Sequence, residues 1–151
     1  MKPIVHAVTY LKNVFDIASR KKIIRYAVAQ LREVRETVPF DAIAFRGLSG
    51  AILAPAIADK LGVGIIAIRK PTEQSHSFQK VEGYRNCKYI IVDDLISSGA
   101  TIRIIQDTIY NHHCDRSECL GVWLYNPNGG TARDEIEDKK GIPPILNGED
   151  W

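Results

Sequence analysis

Short apolar runs alternate with amphipathic or polar segments along most of the chain. Residues 4–10 are rich in β-branched side chains and predict a short strand. From Asn13 the pattern changes. Ile17, Ile24, Val28, Leu31 and Val34 recur at the spacing of one helical face. Arg20, Lys21, Lys22, Arg25, Arg32 and Arg35 fill much of the remainder, so an amphipathic helix is expected, stopped by Pro39. Ala42–Phe45 predicts a strand that empties into a loop at residues 46–50. A helix follows over 51–61, with Pro55 marking an irregular first turn and Gly62 as its cap. Val63–Ile68 is the next strand. Residues 69–86 show no apolar periodicity and predict a long, polar, mobile loop. Lys88–Val92 predicts a strand, the isoleucines at 102, 104, 105 and 109 a helix ending near Asn111, and Leu120–Leu124 a last strand. From Asn126 onward the chain is turn-rich and weakly patterned.

Continuously apolar strands alternating with helices imply a mostly parallel sheet covered on both faces, an α/β fold. Ligands of such sheets bind beyond the carboxyl ends of the strands. The segments 46–50, 69–86 and 93–101 are therefore expected to meet in space. At 151 residues the chain fits one domain, 1–151. Its formal net charge of +2 is too small to imply nucleic acid. The charge is uneven, since residues 12–36 hold seven Lys/Arg against three acids and residues 132–151 three against six. A solvated basic helix and an acidic tail account for that. No stretch is apolar enough to span a membrane, and no signal-peptide pattern opens the sequence. Three cysteines cannot all pair within one chain, which fits a reducing, cytoplasmic setting.

The sharpest segment is Tyr89 to Thr101. Four apolar residues lead to adjacent Asp93 and Asp94, and a short hydroxyl-rich loop around Gly99 then opens a helix. Helix N-terminal amides attract phosphate. Ser97, Ser98 and Thr101 add hydroxyl donors, and Gly99 permits close approach of the backbone. The two carboxylates would repel that phosphate, but they can accept hydrogen bonds from a sugar diol or hold water on a hard cation. A phosphate cradle beside a diol clamp describes a site for a sugar 5-phosphate.

This segment resembles the phosphoribosyl-pyrophosphate (PRPP) motif of the type I phosphoribosyltransferase family. Arg46-Gly47-Leu48-Ser49-Gly50 resembles that family's pyrophosphate loop. Arg69-Lys70, followed by a stretch ending in Glu82-Gly83, is similar to its flexible catalytic loop. Order and spacing agree from about Asp41 to Trp123. The resemblance implies a single-domain type I fold with a small hood from the termini. It implies transfer of ribose 5-phosphate from PRPP to a nitrogenous base, giving a nucleoside 5′-monophosphate and pyrophosphate. PRPP would be bound by Arg46, Gly47, Leu48, Ser49, Arg69, Lys70, Asp93, Asp94, Ser97, Ser98, Gly99, Ala100 and Thr101. Lys70, His76, Asp93 and Asp94 would serve catalysis. A Mg²⁺ cofactor would sit near Asp93 and Asp94, mostly on water and substrate oxygens. Ile96 and Tyr125 are the candidates for the base side. A homodimer is the expected assembly, with no membrane or nucleic-acid partner.

The acceptor base stays open. Ser97 stands where hypoxanthine- and guanine-type members carry an acid. Arg46-Gly47 is similar to adenine phosphoribosyltransferases, whereas Arg69-Lys70, His76 and Glu82-Gly83 are closer to the orotate enzymes. Those carry a further lysine in the loop, where this chain has Glu73, with Lys80 falling late. A non-catalytic PRPP- or nucleotide-binding regulator of the same fold is the alternative. The cluster His112-His113-Cys114 with Cys119 is too cramped for usual zinc coordination and predicts a polar helix end. Trp123 is expected in the core. Ile142–Leu146 reads either as a hood over the site or as a dimer contact.

Overall fold

The computed structural model describes residues 2–5, 11–71 and 79–148. A short helix α1 (Lys12–Phe15) precedes α2 (Ile17–Arg35). The single amphipathic helix expected from Asn13 is thus split at Asp16, whose extended backbone ends one helix while its carboxylate caps the next, accepting from the Ser19 amide at 3.0 Å. Then come β1 (Ala42–Arg46), α3 (Gly47–Ala51) and α4 (Ala54–Leu61). The loop expected at 46–50 is therefore mostly a helical turn. Pro55 falls in the first turn of α4, where its missing N–H has no intrahelical partner to lose, and Gly62 closes that helix at φ 70°.

Strands β2 (Gly64–Ile68), β3 (Val81–Gly83), β4 (Lys88–Asp93) and β5 (Glu118–Leu124) complete the sheet, with α5 (Ala100–His112) between the last two and α6 (Arg133–Glu137) beyond. The strand order is β3-β2-β1-β4-β5, parallel except for β3. β3 lies inside the segment read as a structureless loop. It is three residues long with one buried side chain, too little to leave a periodicity. Residues 2–5 form no strand, and the remainder of the strand expected at 4–10 lies outside the described residues.

Alternate strand residues supply two cores. Ile43, Ile90, Val92 and Trp123 pack with α2 and α4 through Val28, Leu31, Ile57 and Ala58. Ala42, Ala44, Ile91 and Leu124 pack on the other face with Ile102, Ile105 and Ile109 of α5. Trp123 is core, as expected, and donates its indole N–H to Gln30 at 2.6 Å. β1 sits between β2 and β4, with α4, which leads to β2, packed on one face of the sheet and α5, which follows β4, on the other. A crevice therefore opens at the carboxyl ends of β1 and β4.

The weakly patterned tail has a definite task. Ile142–Leu146 runs along β5, with Val122 N–H donating to Pro144 O and Leu146 N–H to Val122 O, and its Ile142 side chain packs against Gly99 of the 97–101 loop. Buried Asn147 continues this edge, its carboxamide accepting from Leu124 N–H at 3.0 Å and donating to Leu124 O at 2.8 Å. Asn147→Ala strands both backbone groups and is expected to cost about 3 kcal/mol, read as a lowered urea midpoint with unchanged slope.

Candidate functional site

Three segments converge at the crevice. Arg46 ends β1, Arg69 and Lys70 follow β2, and Asp93 ends β4 with Asp94 just beyond it. One cavity of about 160 Å³ is lined by Arg46, Ser49, Lys70, Asp93, Asp94, Ile96 and residues 97–101. The convergence expected from the strand pattern is thus found for these residues. Gly47 and Leu48 stand beside the cavity rather than in its wall. Gly47 takes φ +71°, which favours glycine, and the Lys70 side chain lies across it so closely that a Cβ would stand 2.6 Å from Lys70 Cε. Leu48 is exposed. Arg69 is turned aside, its guanidinium on Glu82 at 2.7 Å. His76 and Glu73 lie outside the described residues.

The electrostatics of the crevice are strained in a specific way. Asp93 and Asp94 are both buried. Asp93 accepts from Ser49 Oγ at 3.0 Å and from the Asp94 amide at 2.9 Å, and Asp94 accepts from the Leu95 amide at 2.7 Å. Burial, and then the charge of Asp94, push Asp93 up to about 7. Arg46 lines the same cavity, and its Nε is buried with no acceptor among the described residues. A crevice that combines two buried carboxylates with a guanidinium Nε lacking an acceptor among the described residues is fitted to a ligand carrying hydroxyls and an anion.

The loop 97–101 is held from outside by residues that motif reading passed over. Gly99 takes φ 87° and precedes the first turn of α5. The Thr131 hydroxyl donates to Ser97 O at 2.7 Å, and the Thr131 amide to Ile96 O at 2.8 Å. Arg103 donates to Ser98 O at 3.3 Å and also to Lys140 O. Arg103 lies one turn into α5, so helical spacing could have found it. Thr131 offers no such signal, because it stands in a turn-rich segment.

Of the two residues expected on the base side, Ile96 is in the cavity wall. Tyr125 stands behind it. Its hydroxyl donates to Ser49 O at 2.6 Å, and its ring borders two further cavities of about 330 and 290 Å³ shared with α2 and the start of α1. Among the described residues, no three His, Cys, Asp or Glu side chains gather as a metal site. His113 faces Tyr84 O instead, Cys114 donates to Asn86 Oδ1, and all three cysteines are free. No described helix is long and apolar enough to cross a membrane.

No protein-family model matches the chain. It is 27% identical over 110 residues to an adenine phosphoribosyltransferase of Thermoanaerobacter pseudethanolicus, covering 60% of this chain and 62% of that one. The corresponding protein of Campylobacter hominis is 26% identical over 116 residues, covering 65% and 64%. The chain spans less than two thirds of the length of these curated relatives. Among solved structures, adenine phosphoribosyltransferase of Saccharomyces cerevisiae, bound to an imino-altritol bisphosphate and adenine, matches with a TM-score of 0.68 at 19% identity, covering 92% of this chain and 85% of that one. Orotate phosphoribosyltransferase of Mycobacterium tuberculosis H37Rv matches with a TM-score of 0.67 at 18% identity, covering 95% and 80%. The fold is that of the type I phosphoribosyltransferases, with adenine- and orotate-type neighbours side by side, as the mixed motifs imply.

The position of Asp93 has a consequence for stability. Between its ordinary value of 3.8 and about 7, the folded protein keeps a proton that the unfolded chain has lost. Stability therefore falls as pH rises through that window. Asp93→Asn removes the titration. The variant is expected to melt about 3 °C or more above the parent at pH 8 without ligand, with the gap closing toward pH 4 in scanning calorimetry.

Proposed function

We propose that this chain is a phosphoribosyltransferase that moves ribose 5-phosphate from PRPP to a nitrogenous base, with release of pyrophosphate. The supporting observation is the gathering of Arg46, Lys70, Asp93, Asp94 and the 97–101 loop around one crevice. The sequence relatives make adenine the first candidate acceptor.

The chemistry follows from what each group can hold. Residues 97–101 anchor the 5-phosphate, while Asp93 and Asp94 accept hydrogen bonds from the ribose hydroxyls. The sugar is thereby oriented with its anomeric carbon open to the incoming base. Positive charge develops on the ribose as the bond to pyrophosphate lengthens, and the nearby carboxylates favour it. Negative charge collects on the leaving group, toward which the unpaired Arg46 Nε and the Lys70 ammonium can donate. Arg69 can join them only by leaving Glu82. No protein nucleophile is needed. His76 remains a candidate donor on sequence grounds. The base would stand near Ile96, on the side of the crevice backed by Tyr125.

Two buried carboxylates facing the crevice, one pushed toward neutrality by burial and by the charge of the other, suit a hard divalent cation. Asp93 and Asp94 would hold Mg²⁺ with water and substrate oxygens completing its shell. When bound, it would supply charge neutralisation for the departing pyrophosphate.

Incubation with PRPP, Mg²⁺ and a panel of adenine, hypoxanthine, guanine, orotate and uracil tests the activity. Pyrophosphate release is expected with adenine. Tight PRPP binding with silence across the panel would instead establish a regulator. The diol clamp has its own test. Replacing Asp93 and Asp94 together by Asn is expected to lower PRPP affinity at least about tenfold, because charge-assisted hydrogen bonds to the diol are lost. Inorganic phosphate should bind as well or better once the neighbouring negative charge is gone. Calorimetric titration of parent and variant separates the two effects.

A further inference from the structure

Three consecutive carbonyls in the loop before α5 are each taken up by donors that lie outside the loop. Ile96 O accepts the Thr131 amide at 2.8 Å. Ser97 O accepts the Thr131 hydroxyl at 2.7 Å, and Ser98 O accepts the Arg103 guanidinium at 3.3 Å. In a planar trans peptide the N–H of the next residue points opposite to the carbonyl. Holding these three carbonyls therefore aims the amides of Ser97, Ser98 and Gly99 the other way. Among the described residues, those three amides donate to no protein acceptor. Ser97, Ser98 and Gly99 line the cavity, whereas Thr131 does not.

We infer that Thr131, assisted by Arg103, is a positioning residue that turns the Ser97, Ser98 and Gly99 amides into a row of donors for the 5-phosphate. The inference rests on the function proposed above and adds to it a residue in the C-terminal segment. The neighbouring backbone agrees. Gly130 passes so close to the loop that a Cβ there would stand 2.3 Å from Ile96 O, so the chain can reach Thr131's position only with glycine before it. Arg103 is itself tied to Lys140 O, which fixes its guanidinium from the same segment. Carbonyls left free to rotate would present their own negative ends to the phosphate as often as their amides, and affinity would fall. The device acts by orientation, since Thr131 itself need not touch the ligand.

Thr131→Val keeps the shape and removes the hydroxyl donor; Thr131→Ser restores it. Arg103→Gln tests the Ser98 carbonyl independently should the valine variant fold poorly. Each protein is titrated calorimetrically with ribose 5-phosphate, PRPP and pyrophosphate, while the Ser98 and Gly99 amide resonances are followed by NMR. In the parent, both amides are expected to shift on adding ribose 5-phosphate. Thr131→Val and Arg103→Gln should each weaken ribose 5-phosphate and PRPP about tenfold, the loss expected for one misdirected hydrogen bond, and leave pyrophosphate within twofold. KM for PRPP should rise with kcat nearly constant, and Thr131→Ser should return to the parent's values. Parent-like affinity and amide shifts in both substituted proteins would overturn the positioning role and leave the phosphate site standing. Amides that ignore ribose 5-phosphate in the parent would remove the cradle itself, and this inference with it.

Discussion

Two adjacent carboxylates buried at the tip of a central strand are costly, and much of the molecule is arranged around that cost. Asp93 ends β4 and Asp94 follows it, and the four side chains before them are packed on both faces of the sheet. The strand cannot move them into water without giving up that packing. Local amides and the Ser49 hydroxyl satisfy part of their lone pairs, and burial keeps Asp93 near neutrality. Both carboxylates line the crevice. In the same crevice the Arg46 Nε is buried without an acceptor among the described residues. An occupant of the crevice that hydrogen-bonds these groups would offset part of the burial cost, so the fold holds in reserve free energy that binding can release.

The sheet and most of its helices were legible because they repeat. Apolar runs at β1, β2, β4 and β5 and the helical spacing in α2 and α5 each involve several residues, so one unusual position does not obscure them. The loop chemistry was legible for a different reason. An ordered set of carboxylates, hydroxyls and glycine after a buried strand has few other uses, and it fell where the strand order brings it beside Arg46 and Lys70. What escaped was structure made by single residues. Asp16 splits a helix with one capping bond. Asn147, Thr131 and Gly130 act through backbone groups, at positions that no periodicity marks. A turn-rich segment can thus be weakly patterned and still be fully employed.

Arg69 shows a further limit of reading side chains by type. A basic pair after β2 suggests two ligands for one anion, and the structure separates their roles. Lys70 lies over Gly47 and faces the crevice, while Arg69 is held by Glu82 across the β2–β3 pairing. The register Ala67↔Glu82 places that acid within reach of Arg69, and β3 is the element that composition gave no reason to expect. Charge in the sequence was visible, but its assignment depended on a three-residue strand.

The tail along β5 bears on how copies of this chain can meet. A bare outer strand offers a row of donors and acceptors to any extended segment nearby, which is the usual route to edge-to-edge association. Here the carboxamide of Asn147 and the backbone around Pro144 already occupy that row. Pro143 and Pro144 have no N–H to offer outward in turn. At the opposite margin β3 presents three residues, too short a template to hold a partner strand. Among the described residues neither margin of the sheet leaves a long bare strand, so side-chain surfaces are the ground left for copies to meet on, where sequence rather than backbone decides the partner.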